Sequence, residues 1–398
     1  MEKNNNNELL TRGISAIYPS KEFLASKIAK GEKLTLYLGI DPTGPTLHLG
    51  HAIPIKKLAE FQKMGHKIIL LMGDFTAMIG DPTDKGAARK QLTHKEVMSN
   101  LKNYKKQASK LLSFTGKNKA EFKFNSKWLS KMNFNDVLNL ASKMTVQQML
   151  ERDMFKRRTE EGKPIFIHEF MYPLMQGYDS VAMNVDGELG GNDQIFNMLC
   201  GRDLMKTIKN KEKFVVAVKL LEDNTGKKMG KSDGNMSALS DTAEQMYGSV
   251  MSWNDSLMIS SFELCTNTPM SEIEKIALDI KSEKINPRDL KMRLAREITT
   301  IYHGEKKTKQ AEETFINTFQ KKEIPTDIEN ILVKKSTLLV DVFLSNKLIS
   351  SKSDFRRLVE EGAITNLDLD KKVLSHNDIA ENGVYRIGKK RFCKIIIN

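Results

Sequence analysis

The fold of this chain is constrained most by the stretch between Lys33 and Thr83. "KLTLYLGID", Lys33 to Asp41, alternates and then enters Pro42-Thr43-Gly44-Pro45, which reads as a strand closed by a turn. "LGHAIPIKKLAEFQKMG" has helical periodicity and stops at Gly65. "HKIILLMGDFTAMIGDPT" is a nearly unbroken apolar run, the mark of a strand covered on both faces. Strand, helix, strand in that order predicts a parallel βαβ unit with a right-handed crossover.

The pattern continues. "EFKFNSKWL" reads as another strand, "NDVLNLASKMTVQQMLERDMFKRR" as helix, and "FVVAVKLLED" (Phe214 to Asp223) as a strand running into a Gly/Lys loop. The expectation is α/β: a doubly wound, Rossmann-like parallel sheet over residues 1–240. Residues 241–325 carry helical periodicity, with a helix entry at Asn286-Pro287. Residues 326–335 read as a linker. Residues 336–398 restart with two short helices and end in "GVYRIGKKRFCKIIIN", a strand, a basic turn and a strand, so a small α+β domain is expected.

Charge sets the kind of partner. With 63 Lys+Arg against 50 Asp+Glu the net charge is +13, which permits a polyanionic partner and equally fits a solvated lysine-rich surface. No apolar run reaches membrane-spanning length, and "MEKNNNNELL" has no apolar signal region. Cys200, Cys265 and Cys393 are far apart without metal-ligand spacing. A cytoplasmic protein without a cysteine zinc site is expected.

Two motifs carry chemistry. "TLHLGHAIP" sets His48 and His51 at the start of the first helix, where backbone N–H groups and the helix dipole make an anion site. Gly50 between them lets a planar group approach the backbone. "NTGKKMGKSDGN" sets Lys228, Met229 and Lys231 in a glycine-containing loop after a late strand. Alone, a lysine-rich loop is most often plain solvated surface. Together, the two motifs resemble the HIGH and KMSKS signatures of the class I aminoacyl-tRNA synthetases, in their order and at roughly their separation.

The residues between them narrow the resemblance. "MYPLMQGYDS" puts Tyr172, Gln176 and Asp179 on one helix face. "YLGIDPT" supplies Tyr37, "IGDPTDKGAARK" supplies Asp81, Lys85 and Arg89, and "GGNDQ" supplies Gly191, Asp193 and Gln194. From about Ile14 to the C-terminus the set resembles the bacterial tyrosyl-tRNA synthetase family. The resemblance implies that Tyr37 and Asp179 bind the phenol hydroxyl of L-tyrosine. Phenylalanine would leave both buried and unpaired, a discrimination already established for enzymes of this family. It implies Asp81, Tyr172 and Gln176 for the substrate ammonium, where a carboxylate is the natural partner of a buried positive charge. It implies Gln194 for the substrate carboxylate, and Asp41, Gly50, Gly191 and Asp193 for ATP.

The implied chemistry is attack of the tyrosine carboxylate on the α-phosphate of ATP. It needs no general base, only in-line positioning and stabilised charge on the leaving pyrophosphate. Thr43 and His48 would meet the terminal phosphate. Lys85, Arg89, Lys228 and Lys231 would supply cations, and His51 a contact to the nucleotide. Mg2+ is expected on the ATP phosphates, with no resident metal. Transfer to tRNA(Tyr) follows. The tail resembles a small RNA-binding module, with Lys352, Arg356, Arg357, Lys389, Lys390 and Arg391 as candidate phosphate contacts. The family implies a homodimer, with "QMLERDMFKRR" and "PIFIHEFMY" near its interface.

Three departures stand out: Leu38 where a small polar residue is usual, KMGKS for KMSKS, and Pro54 in what reads as the first helical turn. Tryptophanyl-tRNA synthetases share the fold, but Tyr37 with Asp179 and the basic tail argue against them. A cofactor-making nucleotidyltransferase would explain HxGH alone. A catalytically silent RNA-binding relative would not need the complete set of signature side chains.

Overall fold

The structure, a computed structural model, describes residues 8–82, 92–222, 237–319, 328, 330–369, 371–388 and 391–397. The chain divides into two compact units, Met1–Glu312 and Glu313–Asn398.

The first unit is built on a six-stranded sheet of β1 (Ile14–Tyr18), β2 (Thr35–Ile40), β3 (Lys67–Met72), β4 (Glu121–Phe124), β5 (Gly187–Gly191) and β6 (Phe214–Val218), in the order β1-β6-β5-β2-β3-β4. All neighbours are parallel except β1, which lies antiparallel on β6 as an edge. The expected βαβ unit is β2, α1 (Leu49–Lys63) and β3, in register from Thr35 opposite Lys67 to Ile40 opposite Met72. Helix α1 begins after His48, whose backbone is extended, and the chain then turns at Gly65 with φ at 82°. From β2 the chain winds towards β3 and β4; from β5 it winds the other way to β6. The crevice where the winding reverses, at the carboxyl ends of β2 and β5, is where an open α/β sheet holds ligands.

Sequence pattern did not reveal β1 or β5. Strand β5 reads GELGG, three glycines in five residues, which is poor strand material. It is a strand because β2 and β6 bond it from both sides. Gly187 is required there: a Cβ would lie 2.1 Å from the Phe214 ring. The helical run expected around residues 135–158 is three short helices, Phe134–Ala141, Val146–Leu150 and Asp153–Glu160. Asn133 and Thr145 cap the first two, each accepting the N–H three residues on.

Helices α2 (Ile167–Met183) and α3 (Ile195–Lys209) pack closely at Gly177 and Gly201. Both end on an asparagine in the left-handed region, Asn184 and Asn210. After the sheet come helices including α4 (Ala243–Met251), α5 (Met258–Cys265) and α6 (Pro287–His303). The expected entry at Asn286-Pro287 is present: Asn286 caps α6, accepting the Arg288 N–H at 2.9 Å. The C-terminal end of α5 is held by Arg12, which donates to the carbonyls of Phe262, Glu263, Thr266 and Thr268 at 2.6–3.0 Å. Lys56 of α1 donates to the same Thr266 carbonyl. Burial, with the Arg12 charge beside it, lowers the Lys56 pKa to about 8.

The second unit is a five-stranded sheet of β7 (Asn330–Val333), β8 (Ile364–Asn366), β9 (Lys371–Lys372), β10 (Gly383–Ile387) and β11 (Arg391–Ile397), in the order β7-β11-β10-β8-β9. With it are α7 (Leu339–Ser345) and α8 (Lys352–Glu360). Phe343, Phe355 and Tyr385 meet edge-to-face at its core. The expected linker at 326–335 needs correction. Asn330–Val333 is strand β7, paired in parallel with β11. Ile331 and Val333 face the core while Leu332 faces out, an alternation that four residues were too few to advertise. Among the described residues, no helix is long and apolar enough to cross a membrane.

Candidate active site

A cavity of about 500 Å³ opens at the carboxyl ends of β2 and β5. Tyr37, Asp41, Thr43, His48, Gly50, His51, Asp81, Tyr172, Gln176, Asp179, Gly191, Asp193 and Gln194 all line it. These are all the tyrosine and ATP candidates that fall within the described residues. Lys85, Arg89, Lys228, Met229 and Lys231 lie outside the described residues, as do Lys389 and Lys390 of the tail.

Part of the cavity wall is buried: Tyr37 and Asp179 are 1% and 3% exposed. Tyr37 comes from β2 and Asp179 from α2, with Tyr172 and Gln176 on the same helical face. The Asp179 carboxylate accepts from Trp128 Nε1 at 2.7 Å and from Asn125 Nδ2 at 3.2 Å. Burial pushes this carboxyl well above the usual carboxylate range, against the pull of those two N–H donors. Burial, then the nearby Glu188 and Asp179 charges, likewise raise the Tyr37 phenol. Asn125 and Trp128 lie just past the carboxyl end of β4. The strand expected over "EFKFNSKWL" ends at Phe124, and Ser126–Leu129 is a short helix that carries Trp128, a role no pattern announced.

The middle of the cavity is a hydrogen-bonded network that sequence showed only in part. Gln176 Nε2 donates to Glu188 at 2.9 Å, and Asn197 Nδ2 donates at 3.0 Å to both Gln176 and Gln194. Gln194 Nε2 donates to Asp81 at 3.2 Å. A cation closes each end: Lys213 on Glu188, and Arg152 on Asp81 at 3.0 Å. Glu188, Asn197, Lys213 and Arg152 carried no sequence signal that separates them from ordinary surface or core residues. The Tyr172 hydroxyl donates to Asp41 at 2.8 Å, and Thr76 donates to the other Asp41 oxygen at 2.7 Å. Asp41, expected at the nucleotide, thus also binds the expected ammonium residue. Gly73 leaves it room: a Cβ there would lie 1.9 Å from Asp41 Oδ1.

Another part of the wall is the HxGH turn. The His48 and His51 rings lie 3.8 Å apart between centroids. The turn before them is held from outside: Asn100 donates to the Pro42 carbonyl, Tyr104 to Gly44 and Gln107 to Pro45, and Gln107 accepts the Leu47 N–H. Helix α1 starts at Leu49, so Pro54 is its sixth residue and sits in the second turn rather than the first. Its missing N–H leaves the Gly50 carbonyl without the usual helical donor.

The segment following the KMGKS motif is stitched to this turn. Leu49 N–H donates to Ser237 at 3.1 Å and Leu239 N–H to Leu47 at 2.8 Å, with His48 opposite Ala238. Upstream of the motif, Leu220 and Leu221 line the cavity.

In the second unit, Lys352 pairs with Asp341 at 3.3 Å, and Arg357 with both Asp354 and Glu361 at 2.8 Å. Arg391 donates to the Leu348 carbonyl. Arg356 is exposed and has no such pair among the described residues.

With this geometry in view, comparison with known proteins gives the class. Residues 29–320 match the family model described as tRNA synthetases class I (W and Y). Three structural and sequence relatives illustrate the likeness. The crystal structure of a C-terminally truncated mitochondrial tyrosyl-tRNA synthetase from Aspergillus nidulans has a TM-score of 0.66 at 22% identity, over 79% of this chain and 94% of that one. Tyrosine–tRNA ligase 2 of Clostridium acetobutylicum is 44% identical over 98% of either chain. Tyrosine–tRNA ligase of Thermotoga maritima is 44% identical over 94% of either. The parallel sheet and its family match define a class I tRNA synthetase. Within that class, the chain belongs to the tyrosine–tRNA ligase family.

Proposed function

We propose that the cavity activates L-tyrosine with ATP and that the chain then transfers tyrosine to tRNA(Tyr). The observation that carries this is the meeting of all the described tyrosine and ATP candidates in one cavity at the β2/β5 crevice. The substrate phenol lies in the slot between Tyr37 and Asp179. Its ammonium takes acceptors from the group of Tyr172, Gln176 and Asp81, and Gln194 orients its carboxylate. Gly191 and Asp193 face the ATP ribose, Thr43 and His48 its phosphates, and His51 contacts the nucleotide.

The tyrosine carboxylate attacks the α-phosphorus, a carboxyl oxygen–phosphorus bond forms, and pyrophosphate leaves with the bonding electrons. Lys85, Arg89, Lys228 and Lys231 stabilise that leaving charge, and magnesium arrives on the phosphates as part of the nucleotide substrate. In the second step a ribose hydroxyl of the terminal adenosine attacks the adenylate carbonyl and AMP leaves.

The three domains assigned from sequence divide the work: sheet domain for activation, helices after residue 241 for the anticodon side, and the tail for RNA. Arg356 is the tail cation most available to phosphate; Lys352 and Arg357 must first exchange weak surface pairs. A homodimer is part of the proposal, supported by exposed apolar side chains in the region named from sequence, Phe166 and Ile167 at 51% and 83% exposure. Action in the cytoplasm fits three free, buried cysteines.

ATP–pyrophosphate exchange across a panel of amino acids tests the reading. Exchange with tyrosine and not with phenylalanine or tryptophan is the expected result. Preference for tryptophan, or no exchange, overturns it.

A further inference from the structure

Behind the phenol slot lies an ion pair that the proposed chemistry does not use. Lys213 precedes β6 and is wholly buried, paired with Glu188 of β5, itself 1% exposed. Burying two charges is unfavourable, and apolar residues of equal volume hold a sheet at least as well. A further contact of the ammonium gives the pair a use. Lys213 Nζ donates to Ser180 Oγ at 2.9 Å, and Ser180 Oγ stands 2.9 Å from the Tyr37 hydroxyl. Gly201 keeps this space open: a Cβ there would lie 2.6 Å from Lys213 Nζ and 3.0 Å from Ser180 Oγ.

Donor and acceptor inventories fix the first bond of this chain and bias the second. An ammonium donates and never accepts, so one lone pair of Ser180 is committed to Lys213. A second lone pair remains, and the 2.9 Å contact allows either partner to donate; with Ser180 as the donor, the Tyr37 proton is released for another acceptor. In that direction the Tyr37 proton has the Gln176 carbonyl, a stretched contact at 3.5 Å, and the nearby Glu188 carboxylate as protein acceptors, and a hydroxyl in the cavity competes with both. Asp179 stands ready as the final acceptor, held in place by Trp128 and Asn125.

We propose that Lys213 and Ser180 are positioning residues that set amino-acid specificity by making Tyr37 a donor into the slot. The polarised path runs from Lys213 through Ser180 and Tyr37 to the substrate hydroxyl, and from that hydroxyl to Asp179. Each bond strengthens the next, from a buried cation to a buried anion. The inference rests on the reading of Tyr37 and Asp179 as the phenol slot. It adds that a serine and a lysine outside the cavity decide which way the protons point.

The test is kcat/KM for tyrosine and for phenylalanine in pyrophosphate exchange, with folding checked by thermal melting. Ser180→Ala breaks the path while leaving the ion pair. Lys213→Met combined with Glu188→Gln removes both charges, so that none is left buried alone, and keeps an amide oxygen for Gln176 Nε2. Either change should lower tyrosine kcat/KM about tenfold, through KM, and leave phenylalanine unchanged, because phenylalanine has no hydroxyl to receive the bond. An equal fall for both amino acids, or a tyrosine-to-phenylalanine ratio within about twofold of the parent's, overturns the proposal. If the double variant does not fold, Ser180→Ala alone decides. A parent chain with no preference for tyrosine over phenylalanine sinks the slot itself, and the proposal with it.

Discussion

Asp179 is a carboxylate held in a place that disfavours its charge. Its raised pKa has a kinetic sign. As pH falls through that value the group gains a proton and stops being an anionic acceptor for the phenol. Tyrosine kcat/KM, which reports the free enzyme, should therefore fall on the acid side, while phenylalanine kcat/KM stays flat across the same window. Asp179→Asn should lower tyrosine kcat/KM on the order of 100-fold and abolish that acid limb, as pH profiles of pyrophosphate exchange will show. At this scale the sequence was most readable where a residue belonged to a spaced motif. Tyr172, Gln176 and Asp179 share a helical face, and that periodicity is written in the chain. Asn125, Glu188, Asn197 and Lys213 meet them only through sheet order and helix packing, which no local spacing encodes.

Elements were legible in proportion to their local signal. The unit β2–α1–β3 announced itself because each part has a period and a stop. Strand β5 did not, because its glycines serve close approach (Gly187 to Phe214, Gly190 to Met198) rather than strand propensity, and the neighbouring strands override the local preference. Strand β1 is short and half-buried, and its place was also missed. The segment before it matters more than its length suggests, since Arg12 satisfies four carbonyls around the end of α5. Arg12→Ala should lower unfolding free energy by about 3 kcal/mol, because buried carbonyls lose their donor. Arg12→Lys should recover only part, since one point charge cannot serve a fork's worth of acceptors. Chemical denaturation of the two variants checks both statements.

At the scale of the molecule, the division near residue 313 tells where the chain can be cut. Truncation after Phe319 should keep tyrosine-dependent exchange within about twofold and weaken tRNA charging by about tenfold or more, the proposed tail phosphate contacts being lost. Truncation after Lys335, the boundary that sequence alone suggested, strands β7 without β11 and exposes an apolar edge, so that protein should aggregate more readily. Exchange, charging and light scattering on the two truncations separate these outcomes. The pairing of His48 with Ala238 has a different consequence. Those residues are 190 positions apart (238 − 48). The turn that carries both histidines is thus completed by chain made after the whole parallel sheet. A half-formed sheet lacks a finished turn, and on the proposed function a nucleotide bound at that turn stabilises the assembled unit in its entirety rather than its leading half.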